Sequence, residues 1–142
     1  MNPCRATALI VAMAMAAMAA TAVIAQEPGV PDQPLLEQPP PPYESQLLRL
    51  SEILGAVQYL RQLCNSDEGS LWRDEMLGIL DAEAPTPMRR ARLVDRFNQG
   101  FDSFRSVYRT CTPAAIAAID RYMEEGADIT RDLTARYGES GG

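Results

Sequence analysis

The residues of this sequence with the most specific chemistry are two cysteines, Cys64 and Cys111. They are the two that remain of three cysteines once a leader containing Cys4 is removed. An even number of cysteines in an exported chain predicts a disulfide. The alternative is a reactive thiol pair, but the chain lacks the Cys-x-x-Cys spacing that redox proteins use. The sequence therefore predicts one Cys64–Cys111 bond.

A second candidate site is a series of arginines near the start of the third predicted helix. Its members are Arg89, Arg90, Arg92 and Arg96. The first, third and fourth are spaced by three and four residues, and we expect them to point away from the core. A guanidinium group binds carboxylates and phosphates with parallel hydrogen bonds, so the series suits a peptide, a cell-wall polymer or a lipid head group. The alternative is surface pairing with Asp81, Glu83 or Asp95, which stabilises a protein little.

Composition excludes several classes of function. The chain has no histidine, so a Ser-His-Asp triad, a Cys-His pair and a histidine-based zinc site cannot form. Its net charge of −6 disfavours nucleic acid as a partner. Glu124, Asp128 and Asp132 form an acidic ridge that offers oxygen ligands to Ca²⁺, but a straight helix provides no cage. We predict ordinary ion pairs there, and we expect no enzymatic activity, cofactor or metal.

Residues 1–25 have the layout of a secretory signal peptide. Arg5 supplies a positive charge, an apolar run follows, and the small residue Ala25 comes just before Gln26. Cleavage after Ala25 is the prediction, and it places the mature protein in the periplasm. The alternative is an uncleaved membrane anchor, since the apolar run approaches the length of a membrane span. We expect contact with a membrane only in that case.

Residues 26–42 are rich in proline, which forbids helix and favours an extended, solvated chain. We predict a disordered linker here, and the alternative is a docking segment for a proline-binding groove. Residues 43–138 form the predicted helical domain, and residues 139–142 form a flexible tail.

Four helices are predicted in this domain from apolar residues spaced by three and four. In the first helix the series runs from Tyr43 to Cys64. Ser70 is the predicted cap of the second helix, and Thr86 and Thr112, each followed by proline, are the predicted caps of the third and fourth. The third helix carries an aromatic seam and the fourth an apolar series. The seam consists of Val94, Phe97, Phe101, Phe104 and Tyr108, and the series of Ile116, Ile119, Met123, Gly126, Thr130, Leu133 and Tyr137.

Short connections make consecutive helices antiparallel neighbours, so the first and third helices finish at the same end of the bundle. Cys64 and Cys111 then meet, and each also lies on the inward series of its own helix. Two independent patterns thus predict the same bond. The predicted fold is all-α: a small bundle of about four antiparallel helices closed by one disulfide.

Several segments of the helical domain carry a resemblance to a known family. They are Leu47–Gly55, Trp72–Met76, Asp81–Pro85, Arg89–Val94, Phe97–Phe101, Tyr108–Pro113 and Ala135–Gly138. With them the chain resembles a family of small exported helical proteins of Gram-negative, alphaproteobacterial-type bacteria, known only as a domain of unknown function. The resemblance implies a helical exported domain and supplies no catalytic residues.

Together these observations favour an exported protein that acts as a non-enzymatic interaction or scaffold module, with an envelope protein or the cell wall as its partner. The alternative is a protein that binds a small molecule or an anionic ligand between its helices. Arg61 or Arg105, with nearby aromatic residues, would then form the site.

Overall fold

A computed structural model describes residues 38–64 and 66–138 of the chain. The predicted signal peptide, residues 26–37 of the predicted linker and the predicted tail lie outside the described residues. The regular structure of the described part is helical throughout, which confirms the predicted all-α fold. The helices are α1 (Glu44–Leu63), α2 (Leu71–Glu83), α3 (Pro87–Val107) and α4 (Pro113–Tyr137). None of these four is both long and apolar enough to cross a membrane.

α1 lies at the centre of the bundle, and each of the other three helices packs against it. From Leu50 to Leu60 nearly every α1 residue is buried, including the polar residues Ser51 and Gln58. The Ser51 hydroxyl donates to the carbonyl of Leu47 one turn earlier, so its burial leaves no unsatisfied group. A helix buried on almost all sides explains why the apolar residues of α1 are not confined to one stripe.

The four helices run up and down in alternation, as predicted. Glu44 at the start of α1 pairs with Arg89 near the start of α3, so these two helices are parallel. Gln46 donates a hydrogen bond to Asp132 near the end of α4, which makes α4 antiparallel to α1. The C-terminal end of α1 and the end of α3 therefore lie together.

Where α1 and α3 cross, no side chain separates their backbones. An ideal Cβ atom at Gly55 would lie 1.9 Å from the carbonyl oxygen of Phe97. One at Gly100 would lie 1.9 Å from the carbonyl oxygen of Glu52. Both distances are far below van der Waals contact, so glycine alone fits at either position.

Two clusters of buried side chains surround α1. The larger lies toward its start and joins α1, α2 and α3, whereas the smaller lies toward its end and joins α1 to α4. The larger cluster consists of Leu47, Leu50, Leu54, Met76, Leu80, Leu93 and Phe97. The smaller consists of Leu60, Ala115, Ala118 and Ile119.

The inward face of α4 agrees with the predicted series in part, since Ile119 and Gly126 are buried as expected. Ile116 and Met123, which we expected to face the core, are 50 % and 38 % exposed. Ala115 and Ala118 are buried against Leu60 instead. Alanines let the α4 backbone approach α1 closely at native packing density, so the small residues face inward and the larger ones flank the contact. Thr130, also placed inward by the prediction, is exposed.

The aromatic seam of α3 is only partly in the core. Phe97 is buried as predicted, but the two residues that share its inward face most fully, Leu93 and Gly100, are not part of the predicted seam. The remaining aromatic residues of the seam are half-buried, and Tyr108 stacks on Phe104 of the same seam, whereas the two phenylalanines contact rings on neighbouring helices. These contacts are Phe101 with Tyr59 of α1, and Phe104 with Tyr122 of α4.

The helix starts show two confirmed caps and one error. The hydroxyls of Thr86 and Thr112 accept the backbone N–H groups of Arg89 and Ala115, each ahead of a proline at the first helical position. Ser70, the predicted cap of α2, makes no such bond.

Gln58 of α1 caps α2 instead. Its buried amide oxygen accepts the N–H of Arg73 at 3.0 Å, and its amide nitrogen donates to the carbonyl of Gly69 at 2.8 Å. Both ends of this buried amide are thereby satisfied, and α1 itself fixes where α2 begins.

The Cys64–Cys111 disulfide is confirmed. It joins the end of α1 to the connection between α3 and α4, with Cα atoms 4.9 Å apart and a sequence separation of 47 residues. Closing a loop of this length stabilises a fold by about 4 kcal/mol in the chain-entropy model. A stable structural disulfide is typical of proteins that reside outside the reducing cytoplasm.

We predict that Gly55→Ala and Gly100→Ala each lower the free energy of unfolding by about 2–3 kcal/mol, because the added methyl group forces two backbones apart. Gly78→Ala is the matched control. A Cβ atom there meets nothing within 4 Å, and alanine should raise stability by about 0.5–1 kcal/mol through helix propensity. Urea unfolding followed by circular dichroism measures all three. Equal effects at the three glycines would contradict the close crossing.

Candidate functional site

Arg89, the first of the predicted binding arginines, is part of the fold. Its side chain is only 11 % exposed, and the expectation that it points outward is wrong. Its Nε donates to Glu44 Oε2 at 2.6 Å and its Nη2 to Glu83 Oε2 at 2.7 Å. These bonds tie the start of α3 to the start of α1 and to the end of α2, so Arg89 holds three helices together.

The electrostatics around Arg89 explain why a cation is tolerated near the start of a helix, where the dipole disfavours it. Burial alone acts to lower the pKa of Arg89, but the hydrogen bonds to Glu44 and Glu83 outweigh it and raise that pKa. The Tyr43 hydroxyl also donates to Glu83, at 3.3 Å. Burial, followed by the charge of Glu83, raises the pKa of Tyr43.

Two of the predicted arginines do lie together on the surface. Arg92 and Arg96 line a shallow groove of about 290 Å³ with Asp95 and Gln99 of α3 and with Leu48 of α1. The Arg96 side chain is 47 % exposed. Arg90 is exposed but lies outside this groove. The groove thus combines guanidinium groups, an amide and a carboxylate from α3 with an apolar contact from α1.

Arg96 is held in place by its neighbours. Its Nη1 donates to Gln99 Oε1 at 3.1 Å and lies 3.7 Å from Glu52 Oε2. Glu52 in turn accepts from Arg49 Nη1 at 2.9 Å. A line of alternating charges therefore runs from α1 to the groove on α3.

Arg49 and Glu125 extend this line to α4, and sequence reasoning missed both. Arg49 Nε and Nη2 donate to the two oxygens of Glu125 at 2.7 and 2.9 Å, a bidentate geometry. The hydrogen bond to Glu125 raises the pKa of Arg49, and the same bond lowers the pKa of Glu125. The spacing of Arg49 and Glu52 indicates a local pair. Glu125 lies 76 residues from Arg49 in the sequence, so no short spacing indicates that these two residues pair.

Two of the three members of the acidic ridge of α4, Asp128 and Asp132, form ion pairs as predicted. Asp128 pairs with Arg131, and Asp132 pairs with Arg136 at 2.7 Å while accepting from Gln46 at 2.6 Å. Within residues 38–64 and 66–138, no group of three or more acidic or cysteine side chains is placed to hold a metal ion.

Arg61 and Arg105, the two alternatives named for a small-ligand site, lie in different parts of the fold. Arg61 pairs with Glu68 in the connection between α1 and α2, where Glu68 also accepts from Trp72 Nε1 at 2.7 Å. The bond from Arg61 lowers the pKa of Glu68. Arg105 is 62 % exposed and pairs with Asp102 in an outer groove on α3. The two arginines therefore serve separate local contacts.

Comparison with known protein families identifies the helical part of the chain. A family model described as "Protein of unknown function (DUF2385)" matches residues 42–137. No curated protein and no solved structure matches the chain. The match confirms that the helical stretch is a domain of unknown function.

We predict that the free energy of unfolding falls as the pH drops from about 5 to 3. The pKa values of Glu68 and Glu125 are lowered in the folded protein from about 4.5. Their contribution is complete above the unfolded pKa and is lost as the pH falls through the lower folded values. The double variant Glu68→Gln/Glu125→Gln should lose less stability over this range than the natural protein.

Urea unfolding at several pH values measures this difference. The control is the double variant Glu75→Gln/Glu124→Gln, which changes two exposed glutamates. Its free energy of unfolding should depend on pH as that of the natural protein does. If the free energy of unfolding of both double variants depends on pH in the same way, the ion pairs of Glu68 and Glu125 do not stabilise the protein in solution.

Proposed function

The chain belongs to the DUF2385 family of proteins of unknown function, and for it we propose a role as an exported, non-enzymatic interaction module in the periplasm. Two features support export. The first 25 residues have the layout of a cleaved signal peptide, and the Cys64–Cys111 disulfide suits an oxidising compartment.

The observation that carries the proposal is the groove formed by Leu48, Arg92, Asp95, Arg96 and Gln99. Its mixed polar lining and small depth suit a partner's surface better than an enclosed substrate. Guanidinium groups beside an amide can bind a carboxylate together with neighbouring backbone groups of a partner. We therefore assign the groove to a carboxylate-bearing envelope protein or cell-wall polymer.

The internal ion pairs favour a rigid binding surface. Arg89 fixes the start of α3 to α1 and α2, and Glu52 orients Arg96. A surface held in its binding geometry loses little conformational entropy when a partner docks. The absence of histidine from the chain supports a binding role over catalysis.

The alternative is a protein that binds a free small anion at the same arginines. In this case the protein would bind the anion by itself, without a macromolecular partner. Citrate that shifts the NMR signals of Arg92 and Arg96, with no macromolecule captured in cells, would support this alternative.

We predict that the double variant Arg92→Gln/Arg96→Gln loses its partner while keeping its fold. A tagged full-length copy is cross-linked in living cells of the native host, captured, and compared with the natural chain. Capture should drop by about tenfold, the scale of losing a charge-assisted hydrogen bond. Arg89 is left intact because its removal would loosen three helices.

The matched control is Arg131→Gln/Arg136→Gln on α4. It removes the same charge from two exposed arginines, 74 % and 64 % accessible, that pair only within their own helix. It should capture the partner as the natural chain does. If all three proteins capture the partner equally well, the groove is not the binding site for that partner.

A further inference from the structure

A second groove, of about 410 Å³, lies at the end of the bundle opposite the disulfide. α1 forms its floor, and the last turns of α2 and α4 form its two walls. Most of its lining is apolar, and the polar groups come from Glu83, Thr134 and the tyrosine residues. The lining residues are Tyr43, Leu47, Ala82, Glu83, Leu133, Thr134, Tyr137 and Gly138.

The charge at this end of the bundle is negative. α2 and α4 end at this end of the bundle and α1 and α3 begin there, so the helix dipoles roughly balance and the charged side chains set the local charge. Arg89 is shared between two carboxylates, Glu44 and Glu83, which leaves one net negative charge among the three groups. Glu83 is 20 % exposed and lines the groove.

The apolar part of the groove contains two aromatic rings. Tyr43 and Tyr137 have ring centroids 4.9 Å apart and planes tilted by 51°. Leu47 and Leu133 lie beside them. The faces of tyrosine rings attract cations, and the leucines contact alkyl carbon atoms. The groove therefore offers an apolar surface beside the carboxylate of Glu83, which suits a ligand that has an apolar body and a positive charge.

We propose that this groove binds an organic cation with an apolar body, the class of alkyl- and arylammonium compounds. The apolar body lies against Leu47, Leu133 and the tyrosine rings, and the ammonium group lies toward Glu83. A carboxylate ligand of the same shape would meet like charge, and an alcohol would gain no charge interaction. This site is separate from the α3 groove and does not depend on the proposed partner.

The test is an NMR titration of the full-length protein with three probes of equal length: hexylamine, hexanoate and hexanol. At pH 7 the amine is protonated. Hexylammonium should shift the amide signals of the groove residues to saturation and bind about tenfold more tightly than the other two probes, because only it is attracted by Glu83 and the tyrosine rings. Hexanoate that binds equally well, or shifts confined to residues outside the groove, would overturn the proposal.

A blocking variant and a matched control locate the site. Ala82→Trp places a large ring in the groove from an exposed position of α2 and should abolish the hexylammonium shifts. Leu77→Trp adds a ring on the same helix at a 47 % exposed position outside the groove and should leave binding unchanged. Binding that survives Ala82→Trp would also overturn the proposal. The Arg92→Gln/Arg96→Gln variant should bind hexylammonium normally, so this test can fail independently of the proposed function.

Discussion

The backbone contact between α1 and α3 at Gly55 and Gly100 is the constraint on which the rest of this structure depends. The carbonyl oxygens of Phe97 and Glu52 occupy the space that a side chain would need. The two helices can therefore approach more closely than ordinary side chains allow, and α3 covers the middle of α1. With α3 this close, α1 becomes the central helix, and α2 and α4 pack against its remaining sides.

Two further links hold the ends of this parallel pair. The Cys64–Cys111 disulfide joins them at one end, and the Arg89–Glu44 ion pair joins them at the other. Both candidate sites follow from this arrangement. Because α3 is fixed against α1, Arg96 on its outer face lies within reach of Glu52, which orients the guanidinium group. The apolar groove exists because the last turns of α2 and α4 rest on α1 and leave a gap between them.

The sequence predicted features whose causes are local. Thr86 followed by proline marks a helix start through groups within one turn. The disulfide was predictable for another reason, since only two cysteines remain after the predicted signal peptide and they leave a single pairing. Prediction from the sequence was wrong where a side chain interacts with a residue that is distant in the sequence. Gln58 caps α2 from another helix, and Arg89 is buried by two carboxylates, Glu44 and Glu83. Periodicity also could not choose between the two apolar faces of α4, because close packing favoured its alanines over Ile116.

A double-mutant cycle at the two glycines tests the central claim most directly. If both lie at one close crossing, moving the helices apart to admit a methyl group at Gly55 also makes room at Gly100. The account predicts that Gly55→Ala/Gly100→Ala costs clearly less stability than the sum of the single variants, with a coupling of about 1 kcal/mol or more. Additive costs would mean that the two positions act independently, and the shared crossing would then not set the distance between α1 and α3.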